Sequence, residues 1–138
     1  MCFQIDGRYW PFEITLLEMV KNVDGVTHLL DYFEDTDVYI LVLERPENCM
    51  DLFEYITNHG PLPEATARGL FRQIVNTLID IEKAGVYHCD IKDENILVEL
   101  DWLRTKIIDF GSGATVSHRP HKHFGGQIPI INFLHFNF

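Results

Sequence analysis

The feature that most constrains the fold is a long apolar repeat between Pro63 and Gly85. Proline fits the first turn of a helix and glycine the position just after one, so the repeat predicts a helix over residues 63–84. Its apolar residues recur every three or four positions and therefore form one face. These residues are Ala67, Leu70, Phe71, Ile74, Leu78 and Ile81.

The remaining elements are shorter, and each has its own boundary signals. Pro11 begins a helix, a polar turn at 34–37 separates two strands, and Asp51 with Glu54 begins a helix that Gly60 ends. The predictions are helices over 11–22 and 51–60 and strands over 27–33, 38–43, 96–98 and 106–108. This order predicts an α+β fold rather than regular βαβ alternation.

Charge and cysteine content exclude several classes of protein. With 11 Lys and Arg against 21 Asp and Glu, the net charge is −10, which disfavours nucleic acid as a partner. Three cysteines (Cys2, Cys49 and Cys89) are too few for a disulfide framework. No apolar run reaches the roughly 18 residues that cross a bilayer, and the N-terminus does not resemble a secretion signal. We therefore expect no membrane partner and a cytoplasmic location, with the nucleus as an alternative.

The strongest chemical signal lies in two polar motifs separated by short strands. Residues 88–95 read His-Cys-Asp-Ile-Lys-Asp-Glu-Asn, and Asp109-Phe110-Gly111 follows the second strand. A carboxylate can accept the proton of an attacking hydroxyl, and a lysine can steady a phosphoryl group in transfer. An asparagine and a second carboxylate are hard oxygen ligands that suit Mg²⁺. Each motif alone is often a turn or a solvated loop, but their order favours phosphoryl transfer.

With these motifs the sequence resembles the protein kinase family, and within it the Pim group of serine/threonine kinases. The resemblance spans about residues 11–117 and includes Asp51-Leu52-Phe53 and the unusual hinge sequence Glu44-Arg45-Pro46-Glu47. Most kinases keep a backbone N–H where Pro46 stands, and proline has no such donor. The resemblance implies a partial kinase fold, with an N-lobe remnant at 1–44 and a hinge with a partial, mostly helical C-lobe at 45–117. Residues 118–138 form a divergent tail rich in His and Phe.

The resemblance also implies a role for individual residues. Asp90 corresponds to the catalytic base, Lys92 to the lysine of serine/threonine kinases, and Asn95 and Asp109 to the Mg²⁺ ligands. Glu44 would offer its backbone carbonyl to adenine, and Glu13 should pair with the ATP-binding lysine. The full set of implied nucleotide-binding residues is Glu13, Leu43, Glu44, Asp51 and Leu97. The implied cofactors are ATP and Mg²⁺, the partners are proteins with Ser or Thr in a basic context, and the expected state is a monomer.

Some parts of the family pattern are absent from these 138 residues. They contain no G-x-G-x-x-G-x-V loop and no V-A-I-K strand, so Glu13 has no evident partner lysine, and Cys89 replaces the usual Arg. Three interpretations remain: a weakly active or inactive kinase fragment, a non-catalytic binding module derived from a kinase, and a truncated gene product. We also expect the long helix to leave Leu70, Ile74 and Leu78 unusually exposed, because the printed sequence lacks the later helices of a kinase.

The tail offers two further hypotheses. Its histidines at 118, 121 and 123 could bind Zn²⁺, but histidines this close together more often lie in solvent. Residues 128–138 are apolar but only about 11 long, too short to span a membrane. An aggregation-prone segment is the alternative that we favour.

Overall fold

The computed structural model describes residues 2–5, 8–36 and 38–116, with side chains from residue 11 onward. The strands are β1 (Cys2–Ile5), β2 (Arg8–Pro11), β3 (Leu29–Asp35), β4 (Val38–Leu43), β5 (Cys49–Asp51), β6 (Val86–Tyr87), β7 (Ile96–Glu99), β8 (Arg104–Ile107) and β9 (Ala114–Thr115). The α-helices are α1 (Phe12–Met19), α2 (Leu52–His59) and α3 (Glu64–Lys83), and a 3₁₀ turn covers Asp93–Asn95. The tail hypotheses for 118–138 lie outside the described residues.

The strands form small antiparallel sheets rather than one large sheet. β3 pairs with β4, β7 lies between β5 and β8, β6 pairs with β9, and β1 pairs with β2. This mixture of helices and antiparallel strands confirms the predicted α+β class. The sequence did not predict β1, β2, β5, β6 or β9, and β3 continues to Asp35 where a longer turn was expected.

The helix boundaries follow from the residues that begin and end each helix. Asp51 accepts a hydrogen bond from the backbone N–H of Glu54 at 2.7 Å, which satisfies a free donor at the start of α2. Gly60 ends that helix with a positive φ of 71°. Pro63 precedes α3 and Gly85 follows it, as predicted.

Helix α3 buries much of the predicted face, including Leu70, Ile74 and Ile81, with Leu78 partly buried against the core. Its buried residues are Leu70, Ile74, Thr77 and Ile81, so the expected exposure of Leu70 and Ile74 is wrong. Strands β6 and β8 cover this face, and Gln73 ties the helix to β8 through the backbone N–H of Thr105 at 3.1 Å. Phe71 was assigned to the buried face but is 50% exposed. Thr77 is buried instead of Phe71, because the strands that pack on α3 decide which residues are buried, and hydropathy alone does not.

One core cluster links α1, the strands and α3. It includes Leu17, Val26, Ile81 and Phe110, and Leu29 packs against it, whereas Leu30 is exposed. Among the described residues, no helix is long and apolar enough to cross a membrane. The core therefore places the segment after Ile107 next to helix α1. This packing fixes the position of the candidate functional residues in that segment.

Candidate active site

The loop after β6 is held by His88, which is almost fully buried. His88 Nδ1 accepts the backbone N–H of Asp90 at 3.3 Å, and Nε2 lies 2.9 Å from the carbonyl oxygen of Ile108. Since an N–H can only donate and a carbonyl can only accept, the ring carries its proton on Nε2 and is neutral. Burial, the main influence, lowers the pKa of His88 and favours the same neutral form. His88 thus joins the loop at Asp90 to the segment that leads to Asp109.

Asp90 lies at the centre of a small polar cluster and is only 8% exposed. Its Oδ2 accepts from Lys92 Nζ at 3.1 Å and from Asn95 Nδ2 at 3.1 Å. The hydrogen bond to Asp90 raises the pKa of Lys92, so the ammonium stays charged. Asp90 Oδ1 is buried and has no hydrogen-bond partner among the described residues. A buried carboxylate oxygen without a partner is costly unless a ligand uses it, so Oδ1 is the atom available to accept a proton.

Asn95 and Asp109 are brought together by the hairpin of β7 and β8. Asn95 uses its amide nitrogen to bind Asp90, which leaves its Oδ1 available to a cation. The backbone N–H of Ile108 donates to the carbonyl oxygen of Asn95 at 3.0 Å, so Asp109 follows directly on the residue bound to Asn95. Asp109 has a left-handed φ of 65°, and its Oδ1 accepts the N–H of Gly111 at 3.1 Å. The asparagine and the carboxylate thus meet at one end of the hairpin.

A cleft of about 590 Å³ lies between the hinge and this hairpin. This volume falls within the range of small-molecule sites. The residues of the implied nucleotide set that line it are Glu13, Leu43, Glu44, Asp51 and Leu97, together with Asp109. Asp90, Lys92 and Asn95 are not among its lining residues. The structure therefore gathers the implied residues into two adjoining groups, and Glu94 and Asp109, which line the cleft and whose charges also act on Lys92, connect them.

Sequence reasoning missed several residues of the cleft. Thr27, Cys49 and Met50 line it, and the buried hydroxyl of Thr27 has no hydrogen-bond partner among the described residues. Lys106, which follows Thr105 on β8, pairs with Glu44 across 62 positions of sequence. No local signal in the sequence marks this lysine, because β8 reads Arg-Thr-Lys-Ile, and its partner becomes evident only from the fold.

The donor atoms fit Mg²⁺ bound together with a phosphate ligand. Asn95 Oδ1 and the Asp109 carboxylate are hard oxygen donors, and Mg²⁺ commonly takes one or two protein ligands and completes its shell with water and phosphates. Among the described residues, no group of three His, Cys, Asp or Glu side chains could hold a metal ion by itself. A divalent cation here would therefore depend on the phosphates of a nucleotide.

Glu13 has no cation partner within the described part of the chain. Burial, and after it the negative charge of Asp109, raises the pKa of Glu13, while a hydrogen bond from the backbone of Phe110 lowers it. A group with a raised pKa contributes stability that is complete below its ordinary value of 4.5 and is lost as the pH rises through the folded-state value. The ionised carboxyl of Glu13 therefore destabilises the fold at neutral pH.

We expect Glu13→Gln to raise the melting temperature at pH 7. The gain should be small, about 1–3 °C, because the half-buried carboxyl is partly screened by solvent. It should disappear near pH 4, where the wild-type carboxyl is protonated. Thermal melts at both pH values test this, with Glu18→Gln on the exposed side of α1 as control. A loss of stability at pH 7 would mean that Glu13 has a cation partner.

Comparison with known proteins gives one consistent result. The protein kinase domain model matches residues 6–128. The chain is 38% identical over 123 residues to the serine/threonine-protein kinase prk-2 of Caenorhabditis elegans, covering 89% of this chain and 28% of that protein. It is 40% identical over 124 residues to the serine/threonine-protein kinase pim-2 of Danio rerio, covering 84% of this chain and 40% of that protein. It thus spans less than half the length of either relative.

A solved structure shares the fold. The structure of the Cydia pomonella Granulovirus kinase, PK-1, aligns with a TM-score of 0.68 at 22% identity, covering 83% of this chain and 42% of that one. At this identity the likeness bears on the fold alone. The family match over most of the chain, and the serine/threonine kinases among its relatives, identify the chain as a member of the protein kinase family.

Proposed function

We propose that this chain carries the nucleotide-binding and proton-accepting part of a Pim-like serine/threonine protein kinase site, which transfers the γ-phosphate of ATP to a protein hydroxyl. The observation that carries the proposal is the Asp90 cluster, in which one carboxylate oxygen is bound by Lys92 and Asn95 and the other is buried and free. That arrangement suits a general base. The hinge sequence Glu44-Arg45-Pro46-Glu47 and the pim-2 relative support the Pim-like assignment.

In this proposal each polar residue has one task. Asp90 Oδ1 accepts the proton of the attacking Ser or Thr hydroxyl, and Lys92 holds Oδ2 so that the carboxylate keeps its orientation. Asn95 and Asp109 would hold Mg²⁺, which neutralises phosphate charge when bound. His88, which is neutral, fixes the loop and takes no proton during the reaction.

The other end of the cleft suits a nucleoside. Leu43 and Leu97 line it with apolar side chains, as an aromatic base requires, and the backbone carbonyl of Glu44 would accept from adenine. Asp51 also lines the cleft and would lie near the ribose. Pro46 supplies no N–H, so the hinge would bind the base with fewer donors than most kinases offer.

The substrate class follows from charge. Several of the residues that line the cleft are acidic (Glu13, Glu44, Asp51, Glu54, Glu94 and Asp109), and the whole chain carries −10. We propose protein substrates whose Ser or Thr lies among basic residues, acted on by a monomer in the cytoplasm, without nucleic acid or membrane as partner. The acidic surroundings would draw in basic peptides and repel polyanions.

One observation favours a second candidate, a non-catalytic binding module. Glu13 has no cation partner within the described residues, and the printed sequence contains neither the phosphate-covering loop nor the V-A-I-K lysine. Such a module would bind a nucleotide or a protein without turnover. The two candidates differ in whether phosphate is transferred at all.

We expect the 138-residue polypeptide to transfer phosphate very slowly or not at all. Positioning and electrostatic stabilisation supply most of the rate in these enzymes, so turnover should be at most about a thousandth of the 1–100 s⁻¹ typical of kinases. The assay is transfer of labelled γ-phosphate to a basic peptide, with Asp90→Asn as control. Turnover near 1 s⁻¹ that the control abolishes would contradict the expected weakness. Slow turnover that Asp90→Asn leaves unchanged would contradict the role of Asp90.

A further inference from the structure

Three segments of the chain meet at the side chain of Glu44. Lys106 Nζ lies 2.8 Å from Glu44 Oε1 and 2.9 Å from Oε2, so a single ammonium contacts both carboxylate oxygens. His28 Nδ1 lies 2.9 Å from Oε2, and the backbone N–H of His28 also donates to it at 3.3 Å. Lys106 Nζ donates in addition to the carbonyl oxygen of Val26 at 3.4 Å. We call the three side chains of His28, Glu44 and Lys106 the hinge cluster.

The hinge cluster differs from the exposed ion pairs of this chain. The side chain of Lys106 is only 15% exposed, whereas Lys21, Arg68 and Lys83, which pair within one helix turn, are 61–71% exposed. Burial, the largest influence on Glu44, raises its pKa, but the hydrogen bonds from Lys106 and the backbone of His28 outweigh it and lower the pKa overall. A shielded, multiply bonded pair resists screening and holds its geometry better than a surface pair.

The cluster connects the hinge to strand β8. Glu44 belongs to the hinge, and its own backbone N–H donates to the carbonyl oxygen of His28 at 2.8 Å. Lys106 precedes Asp109 by three positions on the strand that leads into the Asp-Phe-Gly segment. Backbone bonds continue the link, because Ile107 N–H donates to Gly25 at 2.8 Å and Thr27 N–H donates to Ile107 at 3.0 Å. Lys106 itself does not line the cleft.

We propose that Lys106 is a positioning residue that fixes the distance between the hinge and Asp109, and thereby the nucleotide affinity of the cleft. The argument is geometric: one largely shielded ammonium binds the hinge carboxylate and the Val26 carbonyl, while its backbone belongs to strand β8, which ends two residues before Asp109. Without it, the hinge side chain loses its direct contact with β8, and the link between them is left to the backbone bonds at residues 25–28 and to the sheet of β5, β7 and β8. The inference rests on the proposed nucleotide site.

The test compares Lys106→Met and Lys106→Arg with Lys21→Met, which removes an exposed ion pair far from the cleft. One readout is the Kd for ADP with Mg²⁺, and the other is hydrogen exchange at the amide of Glu44. We expect Lys106→Met to weaken ADP binding about tenfold and to speed exchange at Glu44 selectively. Lys106→Arg should retain most of the ADP affinity and most of the protection of the Glu44 amide, because a guanidinium can bind the same carboxylate. The effects of Glu44→Gln and Lys106→Met should add up to more than the effect of the double variant, because both substitutions remove the pair between Lys106 and Glu44.

The outcomes separate this inference from the proposed function. Unchanged ADP affinity in Lys106→Met, or faster exchange throughout the chain rather than at the hinge, would overturn the positioning role. If wild-type protein binds no ADP, the proposed function is contradicted. Hydrogen exchange at Glu44 then still decides whether Lys106 holds the hinge. Slow exchange in the wild type that becomes faster locally in Lys106→Met supports the positioning role. Equal exchange in both proteins overturns it.

Discussion

Replacing Phe110 by alanine should remove a large part of the free energy of unfolding. The Phe110 side chain is fully buried, and its ring meets the ring of His88 edge to face at a centroid distance of 4.8 Å. Truncating a buried phenylalanine costs about 3–5 kcal/mol through lost burial and the cavity left behind. That is a large part of the roughly 5–15 kcal/mol that holds a domain of this kind together.

Chemical denaturation followed by circular dichroism measures this loss. Trp102→Ala is the matched control, because it removes an aromatic ring that is 75% exposed and should change the free energy of unfolding by less than about 0.5 kcal/mol. Equal stability of Phe110→Ala and the wild type would contradict the core described above. It would also remove the reason that Asp109, the neighbour of Phe110, has a fixed position.

Local signals in the sequence were sufficient to predict the helices and strands that begin and end at characteristic residues. Pro63 and Gly85 delimit α3, Asp51 and Gly60 delimit α2, and the apolar run at 38–43, which follows a polar turn, identifies a strand. These features depend on residues close together in sequence. The order of the two polar motifs likewise identified Asp90, Lys92, Asn95 and Asp109 as a group before any contact was known.

Features that depend on distant partners could not be predicted in the same way. Strand β5 has only three residues and exists because it pairs with β7, nearly fifty positions later. Thr77 is buried because strands β6 and β8 lie on its side of α3, which hydropathy does not reveal. Lys106 was one of several lysines with no assigned partner until the fold placed it against Glu44. In each case the deciding contact joins residues that only tertiary packing brings together.

The second large effect concerns Asp109 and its dependence on Mg²⁺. Asp109 lines the cleft, and its charge, like that of Glu94, also acts on Lys92. If Asn95 and Asp109 hold a divalent cation together with the phosphates, removing the charge of Asp109 replaces its one charged protein ligand by a weaker, neutral amide oxygen. The loss should be about 10–100-fold in Mg²⁺-dependent nucleotide affinity. Asp109→Asn keeps the size of the side chain, so the change isolates charge.

The most direct test of the account is therefore ADP binding by calorimetry with and without Mg²⁺, in wild type, Asp109→Asn and the control Asp80→Asn. Asp80 lies on α3 and pairs with Lys83 at the surface, away from the cleft. We predict that Mg²⁺ strengthens ADP binding to the wild type and to Asp80→Asn, and that chelating the metal or replacing Asp109 removes this gain. Absence of ADP binding by folded wild-type protein, or Mg²⁺-dependent binding that Asp109→Asn leaves intact, would contradict the central claim that these residues form a kinase-type nucleotide site.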